Sequence, residues 1–285
     1  MTAAIHTLSL LDGLQAIAKG KLTPKEWSQA CLERIAERDE TVHAWAHINP
    51  SQTLAAAEHL TSGPLFGAPI AVKDLIDTAD MPTGYGSQIY ARHQPLWDAP
   101  CVTTLRNNGA IILGKTVSTE FAYFGPGPTT NPHDQTRTPG GSSSGSAAAV
   151  ADFQAPAALG TQTAGSVIRP AAFCGIVGYK PTYGLLPLSG IRPLAPSMDH
   201  LGVLTRTVDD AAFLASVIGR RPDLALKSKN KYVPTLGFCR THDWERADET
   251  TRAKLTEAIE IFAKCGAKVI DVELPDLFSD LGEAQ

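Results

Sequence analysis

Apolar positions recur at helical spacing just after Thr23-Pro24-Lys25-Glu26, where Trp27, Cys31 and Ile35 stand four residues apart and share one face. The threonine and the glutamate three residues on make a capping box, and proline takes the first helical position, so a helix opens at Pro24. Comparable patterns predict helices over 99–108, 145–152, 208–218 and 249–265, the last stopped by Gly266. Between them lie short apolar runs, at 70–72, 111–113, 176–179, 235–239 and 268–272, which predict strands. The alternation predicts an α/β sheet flanked by helices. No repeat is evident, the basic stretch 220–231 reads as an exposed excursion, and one domain over 1–285 suffices.

With 285 residues, 43% of them hydrophobic, the chain can bury a large core. A net charge of −4 leaves no general basic surface, so nucleic-acid binding is not expected. No apolar run approaches membrane-spanning length and the N-terminus lacks a basic region followed by an apolar core, which predicts a cytoplasmic protein. Cys31, Cys101, Cys174, Cys239 and Cys265 are scattered and odd in number, so reduced thiols are expected. His43 and His47 stand at a helical metal-ligand spacing, but no cysteine or acidic partner accompanies them, and no metal site is expected.

The chemistry concentrates in three places. Two small-residue tracts, Pro139-Gly-Gly-Ser-Ser-Ser-Gly-Ser146 and Gly160-Thr-Gln-Thr-Ala-Gly-Ser166-Val-Ile-Arg169, offer serines among bare backbone amides. A lysine closes the apolar run Pro69-Ile-Ala-Val-Lys73, and a lysine beside serines can activate a hydroxyl without histidine. Two rival patterns are weaker. Gly141-Ser-Ser143-Ser-Gly145 fits a nucleophile elbow but lacks a buried strand before it, and Ser228-x-x-Lys231 lies in a lysine-rich stretch expected to be solvated.

Together with Phe66-Gly-Ala-Pro-Ile-Ala-Val-Lys73-Asp74, Gly114-Lys-Thr, Phe173-Cys-Gly-Ile-Val-Gly-Tyr-Lys180-Pro-Thr-Tyr-Gly184 and Asp199-His-Leu-Gly, these motifs resemble the amidase signature family, and within it the malonamidase-like small-molecule amidases. The resemblance implies a mixed central sheet with helices on both faces, no cofactor, and a Ser-cisSer-Lys triad. In that triad Ser166 is the nucleophile, Ser142, in a cis peptide with Gly141 or Ser143, is the relay, and Lys73 is the base. It further implies an oxyanion hole from the amides of Thr163, Ala164, Gly165 and Ser166, with Arg169, Gln162 and Tyr85 as substrate-binding candidates. Arg169 would either read a substrate carboxylate or brace its loop. Gln162 and Ala164 depart from the commoner aspartate and glycine, and a positive φ at Ala164 would displace the hole.

The implied activity is hydrolysis of a small linear amide through an acyl-enzyme, by a protein whose partners are its substrate and at most a second copy of itself. The nearest alternative is the A subunit of a tRNA-dependent amidotransferase, which releases ammonia from glutamine for a companion; the segment 183–197 resembles stand-alone amidases more. Members of the family continue beyond a point equivalent to Gln285, so a C-terminally incomplete domain is expected, and a truncated non-catalytic homologue is the remaining alternative.

Overall fold

The computed structural model of the protein describes residues 4–226 and 233–280. The chain divides into two compact units, Met1–Leu226 and Lys227–Gln285. In the first the elements run α1 (Leu10–Ala18), α2 (Pro24–Val42), β1 (Trp45–Ile48), α3 (Pro50–Ala56), β2 (Pro69–Lys73), α4 (Pro100–Asn107), β3 (Ile111–Thr116), α5 (Ser144–Ala151), β4 (Ala157–Gln162), α6 (Ile168–Cys174), β5 (Val177–Tyr179), β6 (His200–Thr205) and α7 (Val208–Ile218). The six strands form one mixed sheet in the order β1-β3-β2-β4-β6-β5, with β3, β2 and β4 parallel and the outer pairings antiparallel. In the second unit β7 (Thr235–Cys239) and β8 (Lys268–Val272) pair in parallel, joined through α8 (Glu249–Lys264). No helix among the described residues is long and apolar enough to cross a membrane.

The expected mixed α/β sheet with flanking helices is present. The capping box at Thr23 forms as anticipated, Thr23 N–H donating to Glu26 Oε2 at 2.8 Å while Glu26 N–H donates to Thr23 Oγ1 at 3.2 Å. Three strands escape the periodicity reading. β4, Ala-Ala-Leu-Gly-Thr-Gln, is poor in β-branched residues, and β1 and β6 each carry a histidine and little alternation. Their strand character comes from the sheet that encloses them rather than from intrinsic preference. β2, β3 and β4 are buried along their whole lengths, as parallel strands covered on both faces must be. His43 terminates α2 in a left-handed conformation and His47 lies on β1, so the two do not share a helix face. The pattern at Ser228 and Lys231 lies outside the described residues.

Helix α5 is the centre of this packing. All eight of its residues are buried, and it touches β2, β3, β4 and β6. A helix so enclosed has no polar face, and here small side chains let it approach the strands closely. Asp152, at its C-terminal end, would oppose the helix dipole were it unpaired; Arg34 and Arg38 of α2 meet its carboxylate, each at 3.2 Å. At the other end Gly145 N–H donates to the Val117 carbonyl at 3.0 Å. A Cβ on Gly145 would stand well inside van der Waals contact with the Ala44 carbonyl oxygen and with Val117 N. Both are main-chain atoms that cannot swing aside. Gly145→Ala is therefore expected to lower stability by at least about 1–3 kcal/mol, read as a shift in the urea unfolding midpoint; an unchanged midpoint would contradict this packing.

Candidate active site

Lys73 ends β2 level with Thr116, the last residue of β3, and its side chain is fully buried. Its Nζ hydrogen-bonds Ser142 Oγ at 2.7 Å and Thr161 Oγ1, on β4, at 2.8 Å. No carboxylate among the described residues lies in ion-pair range of it. Burial therefore pushes the amine well below the ordinary lysine range; the negative charge of Asp199 opposes that shift without cancelling it.

Ser142 stands just before α5, in a cis peptide bond with Gly141. The serines that follow it are all buried and all engaged. Ser143 Oγ donates to the Thr161 carbonyl and accepts from Thr161 N–H, both at 3.2 Å, tying the tract to β4. Ser144 Oγ donates to the Val117 carbonyl and Ser146 Oγ to the Leu159 carbonyl. No strand precedes Gly141-Ser-Ser143-Ser-Gly145, and the Ser143 hydroxyl is occupied in holding β4, so the elbow geometry is absent. Ser166 is buried on the second loop, and its carbonyl accepts from Ser143 N–H at 3.3 Å. That bond draws the two serine loops together beside Lys73.

The loop from β4 to α6 is organised by Gln162. Its Oε1 accepts from the backbone N–H groups of Val167 and Ile168, at 2.9 and 3.0 Å, and its Nε2 donates to the Ala164 carbonyl at 3.0 Å. The side chain thus serves its own loop. An aspartate there could accept the same amides but could not donate to Ala164. Thr163 Oγ1 donates to Asp199, whose carboxylate also accepts from Leu194 and Ala195 N–H. Ala164 does not have positive φ, so the backbone penalty raised for it does not arise. The amides of Ala164, Gly165 and Ser166 donate to no protein acceptor among the described residues.

Arg169 directs Nε and Nη2 to the Gly141 carbonyl, at 3.1 and 2.9 Å. These bonds are the bracing contact, one of its two expected roles. Tyr85 is buried with positive φ, its hydroxyl donates to Asp77 at 2.8 Å, and burial pushes the phenol up. It packs in the wall rather than on the lining of the adjacent cavity. That cavity, about 430 Å³, is lined by residues that include Leu75, Thr161, Thr163, Arg192, Asp199 and His200. A larger hollow of about 580 Å³, lined by Leu11, Leu14, Phe66 and Phe213 among others, holds none of the site residues. Sequence reasoning does not single out Thr161, Asp199 or Arg192; all three lie inside quoted segments, Arg192 in 183–197, but no role attaches to them there.

Asp74, next to Lys73, meets Lys115 of β3 at 3.4 Å and accepts from Gly84 and Gly86 N–H, which fixes the loop bearing Tyr85. Among the described residues no group of three or more histidine, cysteine, aspartate or glutamate side chains could hold a metal ion. Cys31, Cys101 and Cys174 are free and buried, and desolvation pushes each thiol up to about 12. Gln162→Ala would leave the Val167 amide, which is buried, and the Ile168 amide without this acceptor, so amide hydrogen exchange at both should accelerate and stability should fall by roughly 1–3 kcal/mol. Unchanged protection at both amides would contradict the organising role.

Residues 26–281 match the family model described as Amidase. A curated relative, the A subunit of the glutamyl-tRNA(Gln) amidotransferase of Thermobifida fusca, is 40% identical over 93% of this chain and 59% of its own length. The solved native peptide amidase of Stenotrophomonas maltophilia superposes with a TM-score of 0.83 at 31% identity, covering 95% of this chain and 63% of that one. The A subunit of the Thermotoga maritima glutamyl-tRNA(Gln) amidotransferase gives 0.81 at 32% identity, covering 99% and 65%. The chain thus spans about three fifths of the length of these relatives. The match of nearly the whole chain to the family model, together with the shared fold, places this protein in the amidase signature family.

Proposed function

We propose that the protein hydrolyses the carbon–nitrogen bond of a small linear amide, with Ser166 as nucleophile, Ser142 as relay and Lys73 as base. The observation that carries this reading is a lysine sealed from solvent, without a carboxylate partner among the described residues, in hydrogen-bond contact with the serine of a cis peptide. Such an amine is driven toward its neutral form, which alone can accept a proton. The Ser166 proton passes to Ser142 as Ser142 gives its own to Lys73, and Ser166 Oγ bonds to the amide carbon. The oxyanion that forms is met by the unengaged amides of residues 164–166. Lys73 returns the proton through Ser142 to the departing nitrogen, leaving an acyl-Ser166. Water, deprotonated along the same route, releases the acid and restores the serine.

A second reading is favoured by the curated relatives: the same chemistry, run within an amidotransferase, would release ammonia from glutamine for a companion chain. That likeness weighs against the preference drawn from 183–197. Amide turnover by the purified chain alone supports the first reading; turnover that needs added partner chains supports the second.

A fluorophosphonate probe is expected to label Ser166, located by peptide mapping, and Ser166→Ala should abolish labelling. Adduct mapped to Ser143 would reject the assignment. For Lys73 the sign is fixed by the depressed pKa. At low pH the ammonium cannot accept a proton and acylation is slow; the rate climbs as pH rises through the lowered pKa and levels off well before 10.5. Lys73→Ala should slow acylation by roughly a hundred- to ten-thousandfold and remove that rise. Retention of the wild-type profile in this variant would exclude Lys73 as the base.

A further inference from the structure

Arg192 stands on the wall of the cavity that also exposes Thr161, Thr163 and His200. Its place is set by the main chain: Ile191 bridges to Ile76, and Arg192 N–H donates to the Leu75 carbonyl at 3.0 Å, two residues beyond Lys73. Its guanidinium carbon lies 5.2, 5.0 and 4.6 Å from the ring centroids of Tyr85, Tyr90 and Phe121. These rings form their own edge-to-face cluster, Tyr85 with Tyr90 at 5.3 Å and Tyr90 with Phe121 at 6.0 Å, so the collar is stiff.

What this guanidinium lacks is an acceptor. Among the described residues no carboxylate is in ion-pair range of it and none of its side-chain N–H groups has a hydrogen-bond partner. The other part-buried arginines of the first unit are committed: Arg34 and Arg38 to Asp152, Arg106 to Asp80 and Asp98, Arg206 to the carbonyls of Val150 and Ala155. Arg169 has given Nε and Nη2 to Gly141. The nearby Asp199 is held by Thr163, Leu194 and Ala195. Aromatic faces offset part of the desolvation of a guanidinium but leave its N–H edge unsatisfied, and that edge matches a planar carboxylate in bidentate geometry.

We propose that Arg192 is the specificity-determining residue of this site, pairing with a carboxylate carried by the substrate, so that the cavity takes small amides that are also carboxylic acids. This rests on the amide-hydrolysis reading for turnover, though not for binding. The volume suits a small ligand. It also removes Arg169 from substrate recognition and leaves it as the brace of the Gly141 carbonyl.

The test pairs succinamate with butyramide, which replaces the carboxylate by a methyl group, and adds succinate binding by calorimetry. Arg192→Ala is expected to lower kcat/KM for succinamate by roughly ten- to a hundredfold while butyramide changes by no more than about twofold, and to weaken succinate binding by a similar factor. Arg192→Lys should recover part of the loss, since it keeps the charge without the fork. Arg169→Ala should depress both amides together. Circular dichroism and thermal unfolding check that each variant is folded. Equal losses on the two amides in folded Arg192→Ala, succinate binding indifferent to Arg192, or no succinate binding by the wild-type chain would each overturn the proposal. Succinate bound through Arg192 by a chain that turns over neither amide would uphold the proposal and remove the amide-hydrolysis reading instead.

Discussion

Everything in the first unit depends on how a helix with no polar face is made acceptable to the sheet it is buried in. α5 enters the core with serines at its N-terminal end, and each hydroxyl is spent on a backbone group of a neighbouring strand or the turn just after it: Ser143 on Thr161, Ser144 on Val117, Ser146 on Leu159. These bonds satisfy hydroxyls that burial would otherwise leave at a cost of about 1–3 kcal/mol each. They also fix the helix in height and rotation against β3 and β4. Ser142 inherits its position from that docking, and Lys73 and Thr161 are already present at the strand ends. The site is a by-product of the way the core closes.

Two buried lysines on adjacent strands show how the same burial leads to different electrostatics. Lys73 and Lys115 are both without solvent exposure, and β2 pairs Val72 with Lys115. Lys115 has Asp74 at 3.4 Å and Thr83 at 2.6 Å, and its amine is lowered only to about 8. Lys73 has two hydroxyls and no adjacent carboxylate. The first is a structural ion pair that anchors the loop of Gly84 and Gly86, and the second is an amine that burial pushes toward its neutral form.

The fold class and the helices α2, α4, α5, α7 and α8 are legible in the sequence because capping boxes, terminal glycines and helical periodicity are local, whereas α1, α3 and α6, of seven to nine residues, escape that reading. The strand β4 is not legible, since Ala157, Ala158 and Gly160 reflect the need for close helix approach and hide the β signal. Lys73, Ser142 and Ser166 lie in motifs and can be named from them. Arg192 cannot, because what distinguishes it is a missing partner and a collar of rings drawn from separate parts of the chain, and neither is written in its own neighbourhood. Arg169 invites the carboxylate role by being three residues from Ser166; in space its donors face the backbone of the other serine loop.

The cause of the lowered Lys73 amine has a bearing on the medium in which the protein works. Had a neighbouring cation set it, dissolved salt would screen the repulsion over about 10 Å at 0.1 M and move the titration. Here the dominant cause is the exclusion of water from a fully buried side chain. Ionic strength has little hold on such a quantity, whereas the entry of a few water molecules has a great deal. The proton affinity of this lysine is therefore a gauge of how dry the strand ends remain, and tight packing of α5 against β2 and β4 sets chemistry as well as stability.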